Sequence, residues 1–224
     1  MQIDKIKEIS GFAQQIPIGS LGGWLRPSKE SFARVSAGYL LADQARIQML
    51  SEQISRPGKL LCGVSWSSKN AKIGGHKSLS LAQMLVPLKG EGLHFVNLQY
   101  GDTQQEREAL YSEHGIEVQD VSQVDNYHDI EGLAALIVAC DVVVTTSNTT
   151  AHLAGALGKP TLLLLPFGRG QLWYWSHRGR QEGAQGCSAW YPSIRFYQQE
   201  RPGDWGQALS QVRFDLENKP WVSA

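Results

Sequence analysis

The run Asp141-Val142-Val143-Val144-Thr145-Thr146 is apolar and β-branched enough for a strand buried on both faces, and the chain turns sharply after it. Ser147-Asn148-Thr149-Thr150 follow where a helix should begin, Ala151-His152-Leu153-Ala154-Gly155-Ala156 continue it, and Thr161-Leu162-Leu163-Leu164-Leu165 form a second buried strand. Strand, polar turn, short helix and strand in this order make a βαβ unit. An anion site lies in its middle. Asn148 can cap the helix, and beyond the cap several backbone N–H groups have no intrahelical acceptor. The helix dipole is positive at the same end, so a phosphate is stabilised there without net charge on the protein. His152 lies one turn further and adds a donor.

The pattern extends on both sides. From residue 59 onward strands and helices alternate: strands at 60–66, 93–99, 116–121, 141–146 and 194–198, and helices at 80–88, 103–114, 130–139 and 204–216. This predicts an α/β fold, a Rossmann-like parallel sheet flanked by helices. The break falls near Arg56-Pro57-Gly58, giving a domain at 59–224 and an N-terminal extension at 1–58. That extension holds the irregular stretch Ile16-Pro17-Ile18-Gly19-Ser20-Leu21-Gly22-Gly23 and a helix at 43–54, with too little apolar material for its own core. Periodicity is lost between Gly168 and Tyr191.

Bulk properties narrow the classes. Lys and Arg balance Asp and Glu at 21 each, so there is no basic field of the kind that draws proteins to nucleic acid, although a mononucleotide needs only a local cluster of donors. Apolar residues make up 42% of the 224, which supports a real core. Three widely spaced cysteines, Cys62, Cys140 and Cys187, point to a reducing cytoplasm. No apolar run is long enough to span a membrane, and the charged N-terminus lacks a signal-peptide core.

In parallel sheets ligands gather at the carboxyl ends of strands. Four loops there are rich in donors: Ser65-Trp66-Ser67-Ser68-Lys69-Asn70 continuing to Gly74-Gly75-His76-Lys77-Ser78, then Gln99-Tyr100-Gly101-Asp102, then Asp125-Asn126-Tyr127-His128-Asp129, then Ser147-Asn148-Thr149-Thr150. A helix cap needs one polar residue, so three in a row with a His on the same helix favour a ligand over capping alone. Lys77 follows two glycines and can fold over a ligand or stay solvated, and Lys69 and Lys72 are alternatives. Asp129 reads first as a cap or first-turn acid of the next helix; the functional alternative has Asp129 or Glu131 accept from ribose hydroxyls. The aromatic stretches Trp173-Tyr174-Trp175 and Trp190-Tyr191-Pro192 either close the core or wall the site, and Arg178 and Arg180 between them offer an anion contact. Neither a Walker A loop nor a dinucleotide fingerprint follows the first strand, no nucleophile elbow is present, and no His, Cys or carboxylate spacing predicts a metal.

In order along the chain, Ser65-Trp66, Lys77-Ser78, the segment from Ser147 to Pro160, Leu165-Pro166, Trp190-Tyr191-Pro192 and Arg201-Pro202-Gly203-Asp204-Trp205 resemble the C-terminal domain of tetratricopeptide-repeat-associated glycosyltransferase-like proteins. That domain is similar to the nucleotide-sugar-binding lobe of the ADP-heptose:lipopolysaccharide heptosyltransferases, of GT-B architecture. The resemblance covers residues 59–215, and residues 16–21 look like the end of the preceding lobe. It implies that Asn148, Thr149, Thr150 and His152, with Ser147 at the turn, hold the diphosphate of a nucleotide-sugar donor, with Lys77 and Ser65 opposite and Asp129 or Gln99 near the nucleoside. It implies no cofactor or metal besides that substrate. Ser147 stands where the heptosyltransferases usually carry Asp. A residue 1–58 segment is too short for an acceptor lobe, so the partner expected is a missing N-terminal lobe or repeat region. The competing expectation is a binding module that senses a nucleotide or sugar phosphate, or a scaffold.

Overall fold

A computed structural model describes residues 16–32, 38–175 and 186–221. Two compact units divide between Arg34 and Val35. In the smaller, a 3-10 turn at Ile18–Ser20 leads into α1 (Leu21–Leu25), followed by a second 3-10 turn at Lys29–Phe32.

The larger unit runs α2 (Gln44–Ile54), β1 (Leu60–Ser65), α3 (Gly74–Lys77), α4 (Leu81–Leu85), β2 (Leu93–Asn97), α5 (Gln104–His114), β3 (Val118–Gln119), α6 (Ile130–Ala139), β4 (Val142–Thr146), α7 (Thr149–Ala156), β5 (Thr161–Leu165), β6 (Ile194–Gln198) and α8 (Gly206–Asn218). The six strands form one parallel sheet in the order β3-β2-β1-β4-β5-β6. This is the doubly wound Rossmann order, and the direction of winding reverses between β1 and β4. Alternation within the strands sorts the core into two layers. Val142 and Val144 pack with Met84, Leu85, Leu209 and Val212 on one face, whereas Val143 packs with Leu50, Leu136 and Ile137 on the other. A third cluster places Trp175 against Leu163, Leu165 and Phe196.

Helix α2, inside the segment expected to be an extension, packs against α6 in the second layer, with Leu50 and Ile54 fully buried. Tyr39 and Leu40 donate backbone N–H groups to Ala156 O, which places the stretch before α2 against the end of α7. The element boundaries follow the sequence pattern with three instructive shifts. Helix α4 stops at Leu85 rather than 88, because Pro87 has no N–H for the helical ladder and the next bonds, Leu88 N to Leu85 O and Lys89 N to Val86 O, are of the tighter i to i+3 kind. Strand β3 keeps two ladder residues of the expected six, since it is an edge strand pairing only with β2, although Ile116 and Val121 remain buried. Helix α8 starts at Gly206, where Asp204 Oδ1 accepts the Gly206 N–H at 3.0 Å and fixes the turn before it.

Cys62 in β1 and Cys140 at the end of α6 are buried, and burial pushes both thiols up, Cys140 to about 12; Cys187 is exposed. Among the described residues no helix is long and apolar enough to cross a membrane.

Candidate functional site

The reversal between β1 and β4 opens a crevice at their carboxyl ends, and the loops that leave these two strands build its walls. After β1 the chain makes a compact turn held by its own side chains. Asn70 Oδ1 accepts the N–H groups of Lys72 and Ile73 at 3.0 and 3.2 Å, and Ser78 Oγ accepts Ser68 N while donating to Gly74 O. Gly74 is required at its position, because an added Cβ would stand 2.2 Å from Ser68 O. The turn delivers Lys77 inward. Its side chain is buried and Nζ donates to the backbone carbonyl of Ser147 at 2.5 Å.

On the β4 side Asn148 caps α7, accepting Ala151 N on Oδ1 at 3.3 Å. Its Nδ2 reaches across to β1 and donates to Ser65 Oγ at 2.8 Å and Ser67 O at 3.2 Å. Ser65 in turn donates to Gln99 Oε1 at 3.0 Å, and the same oxygen accepts Trp66 N and Ser67 N, both at 2.9 Å. One buried network thus ties the ends of β1, β2 and β4 and fixes the direction in which α7 presents its first turn. The N–H groups of Thr149 and Thr150 belong to that turn and have no intrahelical acceptor.

A cleft of about 380 Å³ lies in front of this turn, lined among others by Lys77, Ser147, Asn148, Thr149, His152 and Tyr174. Five of the seven residues expected at the diphosphate are therefore brought together. The other two, Ser65 and Thr150, lie buried beneath as its floor, with Thr150 Oγ1 3.5 Å from Ser65 Oγ. The Ser147 hydroxyl is turned away from the cleft as well, accepting Trp175 Nε1 at 2.8 Å, so the residue contributes its carbonyl instead.

His152 sits in an aromatic box. Its ring stacks on Trp175 at 4.7 Å between centroids and 23° between planes, Tyr174 lies 5.2 Å away, and Nδ1 is 3.2 Å from Tyr191 Oη. Both expectations for the aromatic stretch are met by different residues: Trp175 is fully buried and closes the core, while Tyr174 lines the cleft. Arg178 and Arg180 lie outside the described residues. Sequence reasoning did not single out Asn70 or Tyr100, which also line the cleft, although both stand in the donor-rich loops after β1 and β2.

Burial lowers the Lys77 ammonium below its ordinary value, and burial, with the Lys77 charge second, lowers His152. Among the described residues no carboxylate lies within 4.0 Å of Lys77 Nζ, and none lines the cleft.

The residues expected at the nucleoside separate. Gln99 lines a neighbouring cleft of about 560 Å³ at the ends of β2 and β3, with Asn126, Tyr127 and Arg107 on its walls. Asn126 is held there by donating Nδ2 to Asn97 O and Gln99 O at 3.1 and 3.3 Å. Asp129 lines neither cleft. Its oxygens take both Arg46 guanidinium nitrogens, at 2.5 and 3.1 Å, and cap α6 through Gly132 N at 2.9 Å, and these bonds hold its carboxyl below the usual range. Asp129 therefore joins α2 to α6, which is the capping reading of this residue. Among the described residues no three His, Cys, Asp or Glu side chains converge as metal ligands would.

No family profile matches the chain. Protein FlbA of Caulobacter vibrioides is 32% identical over 204 residues, which cover 90% of this chain and 32% of that protein. The chain thus spans about a third of the length of the curated relative it matches. Among solved structures, E. coli ADP-heptose LPS heptosyltransferase II aligns with a TM-score of 0.53 at 15% identity, over 82% of this chain and 53% of that one. The family 9 glycosyl transferase from Veillonella parvula aligns with a TM-score of 0.54 at 9% identity, over 83% of this chain and 54% of that one. At such identities the likeness concerns the backbone: the chain has the Rossmann-like α/β fold that forms one lobe of the GT-B glycosyltransferases.

Proposed function

We propose that this chain binds the nucleoside diphosphate portion of a nucleotide-sugar donor for a two-lobed glycosyl transfer. The observation that carries this reading is Lys77, a buried ammonium with no carboxylate partner among the described residues, facing a cleft into which helix α7 presents its first turn. A buried cation without a counter-charge is costly, and a ligand anion removes that cost. In the cleft a diphosphate meets Lys77, the Thr149 hydroxyl, the first N–H groups of α7 and His152. The nucleoside then extends toward Gln99 and Asn126 in the neighbouring cleft.

In glycosyl transfer the bond from the anomeric carbon to the diphosphate oxygen breaks, and negative charge grows on the leaving group. Fixed donors aimed at that charge stabilise the transition state more than the bound donor, because they need no rearrangement as the charge develops. The backbone likeness to an ADP-heptose LPS heptosyltransferase supports this donor class.

One observation favours a division of labour. Among the described residues no carboxylate lines the cleft, and Ser147 directs its hydroxyl to Trp175, so these residues supply charge stabilisation and no carboxylate base. A base for the acceptor comes from a second lobe or partner in this scheme; acting alone the chain is a binding module. A thermal-shift panel of UDP, GDP, ADP, CMP and their sugars tests the reading. Ligand at ~100 times its dissociation constant stabilises by about 2.7 kcal/mol, which raises the melting midpoint by roughly 5 °C or more. No shift with any member removes the proposal.

A further inference from the structure

A separate cleft of about 370 Å³ opens at the carboxyl ends of β5 and β6, on the far side of the α3 turn from the Lys77 cleft. Gly75, His76 and Ser78 of that turn form one wall, Phe167 and Arg169 after β5 another, and Gln199 and Trp205 the base. The volume falls in the range of small-molecule pockets.

Gln199 is 3% exposed, and its amide orientation is fixed by the chain around it. Oε1 accepts Phe167 N at 3.0 Å, and the Gln199 backbone N–H is anchored on Leu165 O at 3.0 Å. With the oxygen so committed, Nε2 is the other end of the amide, and among the described residues it has no acceptor. A buried amide N–H without an acceptor is costly, and an oxygen brought to the base of the cleft by a ligand would relieve that cost.

The rest of the lining specifies that ligand. Arg169 is exposed and among the described residues makes no ion pair or side-chain hydrogen bond, and the cleft lining holds no Asp or Glu to compete for it. Phe167 is 48% exposed and offers a flat apolar face of the kind that sugar rings cover. Gly168 and Gly203, both at positive φ, would meet nothing within 4 Å if given a Cβ, so the backbone there is open to close approach. Donors, one unpaired guanidinium, an aromatic face and no acid describe a saccharide that carries a carboxylate.

We infer that this cleft is a second binding site, for a uronic-acid-type sugar whose ring lies on Phe167, with a ring or hydroxyl oxygen accepting Gln199 Nε2 and the carboxylate on Arg169. The site does not rest on the nucleotide reading, because none of its side chains lines the Lys77 cleft.

The test titrates the full chain with glucuronic acid and, in parallel, glucose, followed by calorimetry or saturation-transfer NMR. Glucuronic acid is expected to bind saturably with a dissociation constant of about 1 mM, roughly tenfold tighter than glucose. Gln199→Glu keeps the oxygen that holds Phe167 N but replaces the free donor with a second carboxylate oxygen, and should weaken glucuronic acid roughly tenfold or more. Arg169→Ala should abolish the preference over glucose, while Lys77→Met should bind glucuronic acid as the unaltered chain does and lose only nucleotide. Absence of saturable glucuronic acid binding, or equal binding in the folded Gln199→Glu and Arg169→Ala proteins, overturns the inference.

Discussion

Lys77 donates its ammonium to the backbone carbonyl of Ser147 at 2.5 Å, joining the turn after β1 to the end of β4 across the point where the sheet reverses its winding. A carbonyl carries only a partial charge. It orients the ammonium without neutralising it, and burial lowers the Lys77 pKa. The fold thus holds a cation at a helix N-terminus where simple stability would have placed an apolar side chain.

Replacing Lys77 by Met tests that division between stability and binding. The substitution removes an unpaired charge and keeps the volume, so the unliganded chain should melt within about 1 kcal/mol of the unaltered one. Nucleoside diphosphate affinity should fall roughly tenfold or more, since a charge-assisted hydrogen bond contributes about 1.5–3 kcal/mol. Paired melting and calorimetric titration read both quantities.

His152 makes the site sensitive to pH in a defined direction. Its pKa is lowered by burial first and the Lys77 charge second, whereas a bound diphosphate favours the imidazolium. Binding therefore takes up a proton, and affinity for a nucleotide sugar should rise as pH falls from about 8 toward about 6. His152→Gln should flatten the profile. In the unliganded chain the sign is opposite: below the ordinary value of about 6.5 the unfolded chain takes the proton first, so stability is lost on acidification until the folded group also protonates.

Asn148 is predicted to be a stability residue as much as a binding one. Asn148→Ala removes the cap on Ala151 N and leaves Ser65 Oγ and Ser67 O without the Nδ2 donor. A lost cap costs about 1 kcal/mol and each poorly satisfied buried group about 1–3, so urea denaturation should show a loss of roughly 2–4 kcal/mol.

Asp129→Asn separates the two readings of that residue. The carboxylate bonds Arg46 and Gly132, lies outside both clefts and is about a third exposed, so nucleotide affinity should be unchanged and stability should fall by no more than about 1 kcal/mol. The lowered carboxyl pKa adds stability above the usual range near 3.9 that is lost as pH falls through the folded value, and the variant should lack that acid dependence. A clear drop in affinity would return Asp129 to the nucleoside.

Much of this was legible because periodicity and capping are local. The Val142–Thr146 run and the Asn148 cap announce β4 and α7, and the alternating apolar pattern announces the other elements of the parallel sheet. The fates of Ser65, Thr150 and Asp129 were not legible. Whether a hydroxyl at a strand end faces the cleft or the floor depends on the side chain across the sheet, here Asn148 and Gln99, and Asp129 is directed by Arg46, 83 residues earlier. The aromatic box around His152 likewise draws Trp175 and Tyr191 from a stretch with no regular period.

Calorimetric titration of the unaltered chain and of Lys77→Met with the nucleoside diphosphate that gives the largest thermal shift bears most directly on the buried cation. Saturable binding at one site, weakened roughly tenfold or more by the substitution while the fold persists, is the predicted result. Equal affinity in the two proteins would contradict it, because the diphosphate would then not meet the Lys77 charge.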